Sequence, residues 1–86
     1  MDEARFNLIA KALADPQRFA ILQRIARQDD CPCMALVDEC SITQATISHH
    51  LKVLRDAGIV DSERVGLWAF YYVIPDALKE LETWLS

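Results

Sequence analysis

The sequence predicts a mainly α-helical (α+β) domain in the order α-α-α-α-β-β-α. Apolar residues recur at spacings of three and four from about residue 2 to residue 58, which is typical of amphipathic helices. Between residues 59 and 74 the pattern changes to an alternation around one glycine, which is typical of a β-hairpin. Helical spacing returns after Pro75. These three observations predict four helices, a hairpin and a final helix.

The first two helices are separated by Asp15-Pro16. We expect the first to run from about Asp2 to Ala14 and the second to end near Arg27. Asp is a good N-cap residue, and Pro loses no hydrogen bond at the first helical position. The predicted inward positions are Phe6, Ile9, Ala10 and Leu13 in the first helix and Phe19, Leu22, Ile25 and Ala26 in the second.

A polar break at residues 28–32 precedes a short third helix, predicted from about Met34 to Glu39. Met34, Leu36 and Val37 are expected near the core. The fourth helix is expected to begin after Thr43, whose hydroxyl caps it, and to end at Gly58, since glycine suits the left-handed conformation after a helix.

The fourth helix has two different faces. Ile47, Leu51 and Leu54 form an apolar stripe, whereas the wet face carries small and polar side chains. Such side chains let a helix approach a DNA groove and bond to base edges and phosphates. The alternative is an ordinary solvated helix. His50 lies nearer the core, where we expect a structural role with backbone hydrogen bonds. The predicted DNA-binding residues of this segment are Thr43, Gln44, Ala45, Thr46, Ser48, His49 and Lys52.

The hairpin is predicted as strands Ile59–Arg64 and Leu67–Ile74 around Val65-Gly66. Arg64 near its tip is expected to contact the DNA backbone or minor groove, or alternatively to pair with Glu63 or Asp61. We expect Trp68, Phe70 and Tyr72 to form the hairpin core. Asp76 is expected to cap the last helix, which ends near Leu85.

This order predicts a winged helix-turn-helix. We place one domain at residues 1–86, with the helix-turn-helix at about 34–58 and the wing at about 59–74. A domain of 86 residues buries only about 60–65% of its unfolded surface. Apolar faces on both terminal helices therefore predict a homodimer, with an interface formed by Phe6, Ile9, Leu13, Leu78, Leu81, Trp84 and Leu85.

The composition excludes several classes of protein. With 52% hydrophobic and 26% charged residues the chain is globular. It has no membrane-spanning run and no secretory signal, so we expect a cytoplasmic protein that is nucleoid-associated when bound to DNA.

Residues 43–72 hold three Lys/Arg and three Asp/Glu, so the net charge of −4 lies elsewhere. Affinity for DNA should therefore be modest and sensitive to salt.

Three segments, ALADPQRFAIL, ITQATISHHLKVLRDAGIV and AFYYVI, resemble the ArsR-type winged-helix repressors over residues 6–85. The resemblance implies a bacterial homodimer joined through its first and last helices. It also implies that paired fourth helices bind a roughly palindromic operator on double-stranded DNA. The family responds to metals, metalloids or redox signals.

The cysteines suggest where such a signal could act. An odd count of three argues against a disulfide framework. Cys31 and Cys33 are candidate ligands of a soft metal or metalloid, candidate redox thiols, or unreactive thiols. They lie one place from the family's Cys-x-Cys when the alignment has no gap, and a single insertion would restore the match. Cys40 is expected to be a small buried hydrophobe. The last helix contains no His, so we expect the family's other metal site to be missing.

The sequence thus predicts a DNA-binding transcriptional regulator, a homodimeric repressor responding to a metal, metalloid or redox signal. A winged-helix module that binds another protein and has no effector site is the alternative. Enzymatic activity is not expected, because the sequence shows no carboxylate pair, nucleophile set, phosphate loop or complete metal site.

Overall fold

The structure, a computed structural model, describes residues 1–27, 31–40 and 42–86, and at residues 31, 33, 38 and 39 the backbone alone. All five predicted helices and the hairpin are present, so the winged helix-turn-helix architecture is confirmed. The elements are α1 (Glu3–Leu13), α2 (Pro16–Arg27), β1 (Cys31–Pro32), α3 (Cys33–Cys40), α4 (Gln44–Asp56), β2 (Val60–Val65), β3 (Trp68–Val73) and α5 (Pro75–Leu85).

The helix boundaries follow from local capping chemistry. Asp15 Oδ1 accepts the backbone N–H of Arg18 across 3.0 Å, which confirms the predicted start of α2. Gly58 adopts φ +77° after α4, as its predicted position requires. The prediction that Asp76 caps α5 is wrong. Ile74 is the N-cap and makes no side-chain bond, Pro75 opens the helix, and Asp76 lies in the first turn.

A third strand, β1, was not predicted. It forms an edge of an antiparallel sheet in the order β1-β3-β2, with Cys31 opposite Tyr71 and Pro32 opposite Phe70. A strand of two residues is too short to show an alternation, and Pro lacks the N–H that a central strand requires. The segment therefore looks like a polar break in the sequence.

The core lies between the helices and one face of the sheet. Four residues predicted to point inward do not: Phe19 is 42% exposed, Met34 is 47% exposed, and Ala10 and Ala26 are exposed. These residues lie at the edges of the apolar faces of their helices. The neighbouring elements cover only the middle of each face, so the edges remain exposed. The buried core consists of Ile9, Ala12, Ile21, Leu22, Ile25, Leu36, Ile47, Leu51, Leu54, Ala57, Ile59 and Val60.

The hairpin presents the opposite face from the one predicted. Tyr71 and Val73 pack against the core, whereas Trp68 is 56% exposed and Tyr72 is 38% exposed. Alternation in a sequence separates two faces of a strand but does not say which is inward when both carry apolar residues. Here the face that continues from buried Val60 is the inner one, because Val60 lies opposite Val73.

Candidate nucleic-acid interface

The exposed face of α4 is formed by short polar and small side chains. Ile47, Leu51 and Leu54 on the opposite face are at most 1% exposed, so the rotation of the helix about its axis is fixed by the core. That rotation leaves the predicted DNA-binding residues Gln44, Ala45, Ser48, His49 and Lys52 exposed, with Thr46 partly buried. The structure therefore places one continuous polar surface along the first three turns of the helix.

The side chains of Thr43 and Thr46 contact each other at the start of α4. Thr43 Oγ1 accepts the backbone N–H of Thr46 across 3.2 Å, and the two hydroxyl oxygens lie 2.9 Å apart. The bond confirms Thr43 as the N-cap. It also fixes both side chains at the end of the helix, so their hydroxyls lie at a set position beside Gln44.

His50 is buried, at 6% exposure, and fastens α4 to α2. Its Nε2 lies 2.8 Å from Gln17 Oε1, and its Nδ1 lies 3.4 Å from Arg18 Nη1. A neutral ring with the proton on Nε2 donates to the amide oxygen and accepts from the guanidinium, so one tautomer satisfies both contacts. The structural role is as predicted, but the partners are side chains rather than backbone.

The environment of His50 favours its neutral form. Burial lowers the pKa of the ring below its ordinary value of 6.5, and the nearby positive charges of Arg18 and His49 act in the same direction, while Asp15 opposes them. Arg18 is itself held by carbonyl oxygens at the end of α1, donating from Nε to Ala12 O across 2.6 Å. This network connects the end of α1 and the start of α2 to the middle of α4.

A groove of about 410 Å³ runs between the polar face of α4 and the sheet. Ser48, Lys52 and Arg55 line its helical side and Tyr71 lines its other side. Arg55 Nε is 3.8 Å from Asp61 Oδ1, so its charge is partly neutralised. Lys52 makes no ion pair with any of the described residues, so of the two cations in this groove it is the one more available to a phosphate.

The wing differs from the prediction at its tip. Arg64 lies within β2 opposite Ala69, so it flanks the turn instead of forming it. Its side chain is exposed, and it makes no ion pair with Glu63 or Asp61, both of which are described. The turn itself consists of Gly66 and Leu67, one residue later than predicted. Sequence reasoning missed the exposed apolar residues around this turn, because an apolar residue in a hairpin is usually expected in its core.

The predicted dimer residues divide into two groups. Ile9 is 2% exposed within a single chain, and Leu13 and Leu81 pack against the same core, so these three leave little apolar surface for a partner. By contrast Leu78, Trp84 and Leu85 are 46%, 44% and 67% exposed on α5. The rings of Phe6 and Trp84 lie 6.2 Å apart, which joins α1 to this exposed surface.

The candidate sensor cysteines are placed only by their backbone. Cys31 lies in β1 and Cys33 opens α3, and their side chains fall outside the described part of the structure. Cys40 is a partly buried free thiol that packs on the core, as predicted. Among the side chains that are described, no three or more His, Cys, Asp or Glu residues form a group that could hold a metal ion.

Comparison with known proteins identifies the family of this chain. A family model for a helix-turn-helix domain matches residues 13–63. An uncharacterized HTH-type transcriptional regulator of Methanocaldococcus jannaschii is 42% identical over 73 residues, covering 85% of this chain and 82% of that protein. The arsenical resistance operon repressor of Bacillus subtilis is 32% identical over 77 residues, covering 83% of this chain and 73% of that protein.

The chain belongs to the ArsR-type winged helix-turn-helix transcriptional regulators. Its structure superposes on an ArsR-like transcriptional regulator from Rhodococcus sp. RHA1 with a TM-score of 0.87 at 27% identity, over 95% of this chain and 76% of that one. A winged helix-turn-helix domain from Mycobacterium bovis, solved as a homodimer, has the same fold with a TM-score of 0.81 at 23% identity, over 95% and 75% of the two chains. In this ArsR-type chain, none of the described helices has the length and apolar character needed to cross a membrane.

Proposed function

We propose that this ArsR-type regulator is a homodimeric repressor that binds double-stranded DNA through the exposed face of α4. One observation carries the proposal: Ile47, Leu51 and Leu54 of α4 are buried while Gln44, Ser48 and His49 face solvent together. Short polar side chains on a rigid helix can reach base edges, whereas long charged ones would hold the helix away from the groove.

A dimer would complete the DNA-binding surface. Leu78, Trp84 and Leu85 form an exposed apolar area on one helix, and such areas usually mark contacts with another protein. Pairing two copies across this area would give a two-fold arrangement of α4 helices. A two-fold protein fits an operator with two half-sites about one DNA turn, or about 34 Å, apart. A roughly palindromic operator is therefore part of the proposal.

The charge distribution sets the expected strength of binding. Each protomer offers Lys52, Arg64 and a partly neutralised Arg55 near the proposed interface, on a chain with a net charge of −4. The affinity should therefore depend on few phosphate contacts and more on base contacts than is usual. A winged-helix module that binds only proteins would show no such preference for a DNA sequence.

The test is a gel shift of the full chain with DNA from upstream of its own gene, repeated at two salt concentrations beside a scrambled duplex. We expect one retarded species whose mass corresponds to two chains per duplex, and selectivity that survives the higher salt. Equal affinity for both duplexes, or no binding while a protein partner co-purifies, would contradict the proposal.

We further propose Cys31 and Cys33 as the site where a signal acts. Their backbone joins β1, which pairs with the wing strand β3, directly to α3, which packs against α4. A change at these residues could therefore alter the pose of the recognition helix. Two thiolates do not complete the shell of a soft metal ion, so a metal or metalloid would need further ligands, while an oxidant would not.

The corresponding experiment replaces both thiols, Cys31→Ser with Cys33→Ser, and uses Cys40→Ser as the matched control. We expect the double variant to bind DNA but to lose release by soft metals, arsenite or peroxide, whichever releases the unmodified chain. Release that survives the double replacement would place the signal elsewhere, and its loss in Cys40→Ser would place it at that thiol. Metal analysis and thiol titration of the released protein distinguish the metal from the oxidant.

A further inference from the structure

The tip of the wing is apolar and unusually exposed. Leu67 is 99% exposed, and Val65 and Trp68 beside it are 58% and 56% exposed. Val65 and Trp68 lie opposite each other in the last pair of the hairpin, so the three side chains surround the turn. Single exposed apolar residues are common, but an apolar cluster at a protruding turn indicates an interaction site.

Leu67 has no evident role in folding. The turn requires Gly66, whose φ of +62° suits glycine, but a Cβ built there meets nothing within 4 Å, so the turn is open on that side. Leu67 is almost completely hydrated, so a polar residue there would cost the folded chain nothing. An apolar side chain at this position is therefore explained better by a contact made outside the chain.

The position of the tip identifies what it would contact. A groove of about 190 Å³ separates it from the start of the recognition helix, with Gln44 on one side and Leu67 and Trp68 on the other. If α4 lies in a major groove, the DNA strand that borders that groove would pass between the two. The surface beyond that strand is the minor groove.

We propose that Val65, Leu67 and Trp68 form an apolar wedge that contacts the minor groove of the bound duplex. The inference rests on the proposed function and adds that the wing binds through apolar contact with deoxyribose and base edges. Leucine and aromatic side chains are used in this way by proteins that widen or kink the minor groove.

The dependence of binding on salt separates apolar from ionic contact. We would measure affinity for a selected duplex across a salt series for the unmodified chain and for Leu67→Ala, Leu67→Met and Arg64→Ala. Leu67→Ala should bind about tenfold more weakly, because less apolar surface is removed from water. Its slope of log affinity against log salt should not change, because an apolar contact releases no counterions. Leu67→Met keeps the apolar bulk and should bind like the unmodified chain.

Arg64→Ala provides the ionic comparison. Its slope of log affinity against log salt should be smaller by about one unit for each phosphate that the arginine neutralises in the unmodified complex. Hydroxyl-radical footprinting, which reports deoxyribose in the minor groove, should show protection that is missing in Leu67→Ala. Thermal melting should be the same for all variants, since Leu67 is exposed.

Two results would overturn the wedge. One is affinity and footprint unchanged in Leu67→Ala while the unmodified chain binds the duplex. The other is a loss of dimer mass in Leu67→Ala, which would make the tip a contact between proteins. If the unmodified chain bound no duplex at all, the proposed function itself would fail together with the wedge.

Discussion

His50 in the recognition helix and Gln17 in α2 are joined by a hydrogen bond of 2.8 Å between Nε2 and Oε1. The histidine is 6% exposed, whereas the glutamine is on the surface. The bond therefore supplies a partner for a buried nitrogen and also ties the helix proposed to read DNA to the helix α2.

Removing the glutamine should destabilise the fold. In Gln17→Ala the buried Nε2–H of His50 loses its acceptor, and an unmet buried donor costs about 1–3 kcal/mol. We expect the free energy of unfolding, from denaturant titration, to fall by roughly 1 kcal/mol. Gln23→Ala, at an exposed position of the same helix, should change it by less than about 0.5 kcal/mol. Equal effects from the two changes would show that the His50 bond is not stabilising.

Acidification should destabilise the folded chain through the same histidine. Burial keeps the pKa of His50 below the value of 6.5 expected for the unfolded chain. Below that pH the unfolded state therefore binds more protons, and stability falls until the pH reaches the folded pKa. Above pH 6.5 this contribution is fully present. Denaturation midpoints between pH 8 and about pH 5 should show this loss in the native chain, and the His50→Leu variant should show a smaller slope.

Capping by Asp15 gives a separate prediction. The Arg18 backbone N–H holds the pKa of the Asp15 carboxyl below its ordinary value of 3.8, so its contribution is present above that pH and is lost as the pH falls through the folded pKa. Asp15→Ala should lower the unfolding free energy at pH 7, and Asp15→Asn should lower it by less because asparagine also caps. Asp76→Ala is the control, since Asp76 caps nothing. A cost at Asp76 as large as that at Asp15 would contradict the assignment.

Gly58 should resist replacement because of its backbone conformation. Its φ of +77° is one that residues with a Cβ rarely adopt, although a Cβ there would meet only Arg5 Nη2 at an ordinary 3.7 Å. The cost is therefore conformational, about 1–2 kcal/mol for Gly58→Ala. Asparagine tolerates this conformation better than alanine, so the melting temperature of Gly58→Asn should lie between those of the unmodified chain and Gly58→Ala. If alanine and asparagine were equally harmful, crowding would be the cause.

Much of the fold was predictable because its signals are local. Asp15-Pro16, Thr43 and Gly58 fix the helix ends through bonds and torsions within a few residues, and all three act as predicted. The opposed faces of α4 were also predictable, since Ile47, Leu51 and Leu54 differ so clearly from the residues between them.

The errors come from features that depend on distant parts of the chain. The inner face of β3 is chosen by its pairing with β2 and its packing on the helices, and both faces of WAFYYV are apolar in sequence. Strand β1 exists only because β3 lies beside it. Ile9 is predicted at the dimer surface but lies in the core, because a sequence cannot show how much of an apolar helix its own chain covers.

The central claim is that the exposed face of α4 binds DNA and distinguishes its sequence. The double variant Ser48→Ala/His49→Ala tests this claim most directly. Both side chains are exposed, so the double variant should melt and dimerise like the native chain. Each good base contact is worth about 1–3 kcal/mol, so affinity for a selected duplex, measured by fluorescence anisotropy at fixed salt, should fall at least about tenfold. Lys79→Ala on α5 should leave it unchanged. Native affinity in the double variant would contradict the claim.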